Sequence, residues 1–165
     1  MKRYINLIKQ ILIKGGSILT FEKLNSFFIT NEQASDEDII KCDTYFNRKI
    51  PEEYKYLLKH YNGCILFEYD GIAGFQFLST FDIVQENVLV NDIFNDEDWY
   101  DNVILFCKIL GNGEYLGFRL QKNSKYEIVH CFLDMLPEEW PIIGNSFDIL
   151  IETLIKEKGK EYWLY

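Results

Sequence analysis

In PEEYKYLLKHYNGCILFEYDGIAGFQFL, residues 51–78, a helical period gives way to a strand period at one dipeptide. Tyr54, Leu57, Leu58 and Tyr61 recur at helical spacing and form one apolar stripe. Pro51 suits the first helical position, and Glu52 and Glu53 favour the positive end of the helix dipole. Asn62-Gly63 is a left-handed stop. Beyond it, CILFEY and IAGFQFL flank Asp70-Gly71, a pair that favours the tight turn of a β-hairpin. A helix feeding directly into antiparallel strands sets the class of architecture.

Upstream, Ser35 is an N-cap followed by Asp36, Glu37 and Asp38, which predicts a helix over about residues 36–46. Tyr4, Ile5, Leu7, Ile8, Ile11 and Leu12 predict an earlier helix stopped by Gly15-Gly16. Residues 17–33 read as a short helix through Phe27 and then a polar loop. Downstream, Ser79 or Thr80 caps a helix through FDIVQENVLV. Three strands follow, in VILFCKIL, EYLGFRLQ and YEIVHCFLD, with turns at Gly111-Asn112-Gly113 and at NSK. After an irregular stretch around Pro137 and Pro141, Asn145 or Ser146 caps a last helix carrying Phe147, Leu150, Ile151, Leu154 and Ile155. Helices, a meander of strands and a closing helix make an α+β fold: a single domain with a central, mainly antiparallel sheet of about five strands flanked by helices. Within it, residues 1–34 form an N-terminal helix and variable segment, and residues 35–165 the main domain, one compact unit overall.

The chain has 26 acidic residues against 17 basic ones, a formal net charge of −9. Phosphate backbones are bound chiefly by Lys and Arg, so this balance argues against a direct nucleic-acid partner. It favours a basic protein partner, whose encounter long-range attraction accelerates. A hydrophobic fraction of 48% with 16% aromatics argues for a well-filled core. The apolar run at the N-terminus is broken by Asn6, Lys9, Gln10 and Lys14, unlike a signal peptide, and no stretch is apolar and long enough for a bilayer. A cytoplasmic location is the expectation, with no membrane partner. Cys42, Cys64, Cys107 and Cys131 stand singly in apolar contexts and read as reduced, buried thiols.

One segment concentrates charge. NDIFNDEDWYDN, residues 91–102, carries Asp92, Asp96, Glu97, Asp98 and Asp101 around Trp99 and Tyr100, with no basic residue. It lacks the alternating acids and turn glycine of a calcium loop. Two readings stand: a docking loop anchored by its aromatics and steered by its acids, or a solvated linker with Trp99 folded inward as a lid. Glu68 and Asp70 at the hairpin tip are expected to extend the same acidic face. His60 with Cys64, and the adjacent His130-Cys131, lack the spacing of zinc ligands, so neither a metal nor another cofactor is expected. Nucleophile elbows and phosphate-cradling loops are absent from the sequence, and GNGEYLGF reads as a hairpin. No catalytic residues are assigned and the protein is read as a non-enzyme.

Taken together, SDEDIIKCDTYFNRKIPEEYKYLLKHYNGC, ILFCKILGNGEYLGFRL and VHCFLDMLPEEWPIIGNSFDILIETLIKE resemble the SUKH superfamily over roughly residues 35–157. The matching positions are Ile50, Pro51, Tyr54, Leu58, Asn62 and Gly63, then Gly111, Gly113 and Glu114, then Ser146 and Phe147. Ile50 replaces the usual Leu, Cys64 a common Gly, and Asp43 a commoner Glu. The resemblance implies an α+β domain that acts by binding protein: a bacterial immunity protein that neutralises a cognate toxin domain, often a nuclease, or a regulatory scaffold without a toxin, like the fungal relatives. The Ile-, Lys- and Asn-rich composition is compatible with an AT-rich bacterial genome. The matching residues are expected to carry the fold, leaving partner choice to exposed loops.

Overall fold

The computed structural model describes residues 2–20, 22–94 and 102–164. Along the chain it runs α1 (Arg3–Ile13), β1 (Ser17–Leu19), β2 (Asn25–Thr30), α2 (Asp36–Tyr45), α3 (Glu52–Leu58), β3 (Cys64–Tyr69), β4 (Ala73–Phe77), α4 (Asp82–Ile93), β5 (Val103–Leu110), β6 (Tyr115–Leu120), β7 (Tyr126–Cys131), β8 (Ile142–Gly144) and α5 (Phe147–Lys156). The described strands form one antiparallel sheet whose spatial order is the chain order, β1 to β8. The α+β class holds, but eight strands replace the expected five or so.

The extra strands correct the reading of residues 17–33, where the short helix is a β1–β2 hairpin that extends the sheet through pairing with β3. Hydropathy hid it: in β2 Ser26 and Phe28 point inward while Phe27 and Ile29 lie outside, so the strand shows no apolar-polar alternation. β8 escaped because it has three residues and follows Pro141 directly.

Local chemistry accounts for the helix ends. The Ser35 hydroxyl accepts from the Asp38 backbone N–H at 3.1 Å, with three acids in the first turn of α2. Pro51 stands one residue before its expected place, as the N-cap of α3, at φ −56°. Asn62 ties three segments together: its N–H donates to the Glu32 carbonyl, its Oδ1 accepts from Thr80 N–H, and its carbonyl accepts from Asn31 Nδ2. Gly63, at φ +83°, would place a β-carbon 2.9 Å from the Ser79 nitrogen, so both conformation and space demand glycine. Neither Ser79 nor Thr80 is the N-cap of α4, which is Phe81, but the Ser79 hydroxyl accepts from Asp82 N–H at 3.0 Å and so serves the first helical residue. Ser146 rather than Asn145 caps α5, accepting from Ile149 N–H.

The sheet is buried on both faces at its centre. From β5, Ile104 and Phe106 join Leu116, Phe118 and Ile128 beneath α1, α3 and α5. Val103 and Leu105 join Tyr115, Val129 and Cys131 on the other face, covered by Val90 of α4 and by Trp140. This explains the unbroken apolar run VILFC, since a strand covered on both sides needs no polar alternation. The irregular stretch around Pro137 completes that cover by bringing Trp140 over the sheet, where its indole N–H donates to the Phe132 carbonyl at 2.8 Å. Among the described residues no helix is long and apolar enough to cross a membrane.

Candidate partner-binding surfaces

The acidic residues singled out by sequence separate in space. Asp92 is exposed in the last turn of α4, where the helix dipole disfavours a negative charge, so helix stability does not account for it. Asp96, Glu97, Asp98, Trp99, Tyr100 and Asp101 lie outside the described residues. The segment rejoins the sheet at Asn102, whose carbonyl accepts from Leu120 N–H at 2.6 Å, immediately before β5. Glu68 and Asp70 are not brought to this end. Gly74 pairs with Leu110 and Phe77 with Cys107, which places the β3–β4 tip at the far end of β5, about 23 Å from Val103 at strand rise. Glu68 has a local role there, since its Oε1 accepts from Gly71 N–H at 2.7 Å. Whatever binds near Asp92 is out of reach of these two carboxylates unless it spans the sheet.

A cleft of about 740 Å³ opens beside Asn102. The α2–α3 connection supplies Arg48 and Lys49 to one wall, the β6–β7 turn supplies Lys122 and Lys125 to the other, and Ile50, Leu120 and Tyr126 contribute apolar lining. Sequence reading missed it, because its walls are about seventy residues apart in the chain. The one local signal is a pair of basic residues in each of two turns.

A third cluster lies at the other end. Glu114, His130 and Glu161 offer ligand atoms within 4.8 Å of one another. The geometry speaks against a metal. Trp163 Nε1–H donates to His130 Nδ1 at 3.0 Å, and an indole can only donate, so Nδ1 is unprotonated and the ring proton sits on Nε2. Nε2–H then donates to Glu114 Oε2 at 2.7 Å. Ligation through Nε2 requires that proton to move to Nδ1, against the indole N–H. The cluster instead ties the chain's last turn to the sheet, and it gives Glu114 of the GNGE hairpin a structural role. Nucleophilic chemistry is equally disfavoured at the four free cysteines: burial pushes Cys42 and Cys64 up to about 12 and Cys107 and Cys131 well above the ordinary thiol value, leaving little thiolate.

Burial lowers the His130 pKa, against the raising influence of Glu114, while burial followed by the nearby Glu114 charge raises that of Glu161. The signs oppose. As pH falls below about 6.5 the unfolded chain protonates His130 before the folded one does, so stability is lost. Glu161 takes up its proton earlier in the folded state than in the unfolded, so it adds stability as pH falls towards about 4.5. Glu161→Gln removes only the second contribution, and melting temperature should then fall more steeply from pH 6.5 to 4.5 than in the wild type. Parallel melting curves would show that Glu161 provides no such offset.

Comparison with known proteins places these surfaces in context. A family model described as SMI1 / KNR4 family (SUKH-1) matches residues 33–153, well over half of the chain. The match runs from just before α2 nearly to the end of α5, and leaves out α1, β1 and β2. No curated protein matches the chain.

Proposed function

This chain belongs to the SMI1 / KNR4 family (SUKH-1), and from that membership we propose that it is a non-enzymatic immunity protein that binds a cognate bacterial toxin domain and neutralises it. The observation that carries the reading is the family match combined with a net charge of −9, which suits a basic partner such as a nuclease domain. The contact is assigned to Asp92 and, from sequence, to Asp96, Glu97, Asp98, Trp99, Tyr100 and Asp101. Aromatic residues anchor protein interfaces, and surrounding acids steer the encounter. Glu68 and Asp70 belong to the proposal only for a partner large enough to reach both ends of β5. The expected cellular compartment is the cytoplasm, where a toxin's target would need protection.

The test is surface-plasmon kinetics against the toxin domain encoded by the neighbouring open reading frame. Association should slow with added salt, because attraction between opposite charges is screened beyond about 8–10 Å at ordinary ionic strength. Trp99→Ala should act mainly on dissociation and cost about 2 kcal/mol or more. Neutralising Asp96, Glu97 and Asp98 together should mainly slow association. Unchanged kinetics in both folded variants would remove the segment from the interface. If the wild type does not bind, the immunity assignment fails for that pair, and a scaffold role without a toxin becomes the better account.

A further inference from the structure

We infer that the basic cleft beside Asn102 is a second binding site, built to take an acidic, extended peptide segment of a protein partner. What sets its four cations apart is that they are gathered in one cleft: Arg48, Lys49, Lys122 and Lys125 are exposed and have no ion-pair partner among the described residues, whereas Lys55, Lys59 and Lys108 stand in ion pairs. Two carboxylates also line the cleft: Glu52, which pairs with Lys55, and Glu53. Among the described residues of the lining, four cations stand against two carboxylates, one of them already engaged, on a protein of net charge −9.

One wall holds its charge at a conformational cost. Arg48 sits at φ +59°, next to Asn47 at +54°, and Asn123, between Lys122 and Lys125 in the chain, sits at +62°. Asparagine tolerates that region, but Arg visits it rarely. Such backbone persists where the surroundings impose it, and it gathers at binding sites.

Charge complementarity and the lining say which anion. A ligand that satisfies cations set on two walls must carry several negative charges along its length, as a peptide rich in Asp or Glu does. Inorganic phosphate has no apolar part to set against the rest of the lining. The closely spaced phosphates of a nucleic acid meet the repulsion of the whole acidic surface. The apolar lining from Ile50, Leu120 and Tyr126 suits aliphatic side chains between the acids, and about 740 Å³ lies within the usual range of ligand sites. The site stands apart from the toxin assignment, and its test uses no toxin.

The experiment is selection of a phage-displayed library of random linear peptides against the full chain, with the triple variant Arg48→Ser, Lys122→Ser, Lys125→Ser in parallel. All three positions are exposed, and circular dichroism and an unchanged melting temperature establish that the variant folds. Wild type should enrich peptides carrying several Asp or Glu. Synthetic versions should bind at least tenfold more weakly to the triple variant. Enriched peptides lacking acidic residues, equal affinity for the triple variant, or no enrichment would overturn the inference. So would a single-stranded oligonucleotide that binds the cleft more tightly than the selected peptides.

Discussion

Phe147→Ala should lower the stability of this protein by about 3–5 kcal/mol, the cost of removing a fully enclosed aromatic ring. Phe147 is completely buried at the first position of α5 and meets rings from four directions: Tyr54 at 5.3 Å, Phe106 at 5.6 Å, Tyr4 at 5.8 Å and Phe77 at 6.0 Å between centroids, all near edge-to-face. Those partners come from α3, β5, α1 and β4, and Phe118 of β6 adds a tilted ring at 5.9 Å, so one ring joins five other elements. They cannot close over the cavity, because Phe106 is already stacked on Phe118 at 4.0 Å. In a chain of this length the loss corresponds to a fall of roughly 6–20 °C in melting temperature. Phe147→Leu, which keeps most of the volume, should cost far less. A loss below about 1 kcal/mol for the alanine variant, measured by denaturant unfolding, would mean that the cluster collapses freely and that Phe147 is not its keystone.

Asn87→Ala should rank beside it, at about 2–6 kcal/mol, through polar groups instead of volume. β5 runs past the end of β4, so the backbone of Leu105 lacks a strand neighbour on that side; Leu78 N–H pairs with Phe106, one residue further on. The side chain of Asn87 fills the gap. Its Oδ1 accepts from Leu105 N–H and its Nδ2 donates to the Leu105 carbonyl, both at 2.9 Å. One N–H and the oxygen of a carboxamide lie at the spacing of a peptide group and so stand in for a strand, while the second N–H donates to the Ile83 carbonyl at 2.7 Å. Truncation leaves two buried backbone groups unpaired at about 1–3 kcal/mol each. Leu89→Ala, exposed on the same helix, should shift stability by no more than about 0.5 kcal/mol. Similar shifts in both variants would mean that the bonds of the Asn87 side chain to Leu105 contribute nothing specific.

Asn87 also marks where sequence reading stopped. FDIVQENVLV announces its helix, and the polar face that ordinarily faces water would include Asn87; only the premature end of β4 turns that residue inward. The β1–β2 hairpin was illegible for a related reason. Ser26 is completely buried because its hydroxyl donates to the Ile18 carbonyl, while Phe27 and Ile29 stay half-exposed, an inversion that only the neighbouring strand can impose. His130 was visible as a residue but not as a bonded group, since its partners Glu114 and Trp163 are 16 and 33 positions away.

What sequence alone determined was everything written at short range. Ser35 and Ser146 start helices through bonds to residues three positions on, Asp70-Gly71 and Gly111-Asn112-Gly113 close turns through their own backbone freedom, and the apolar periods name the central core. The family resemblance rested on these same local signatures and was met by the match over residues 33–153. The tertiary structure decided how many strands join the sheet, that Glu68 and Asp70 lie at the opposite end from Asp92, and that four cations from two distant turns share a cleft with Asn102. These depend on register and on the crossing of elements, which are set by contacts between residues far apart in the chain and leave no period in the sequence.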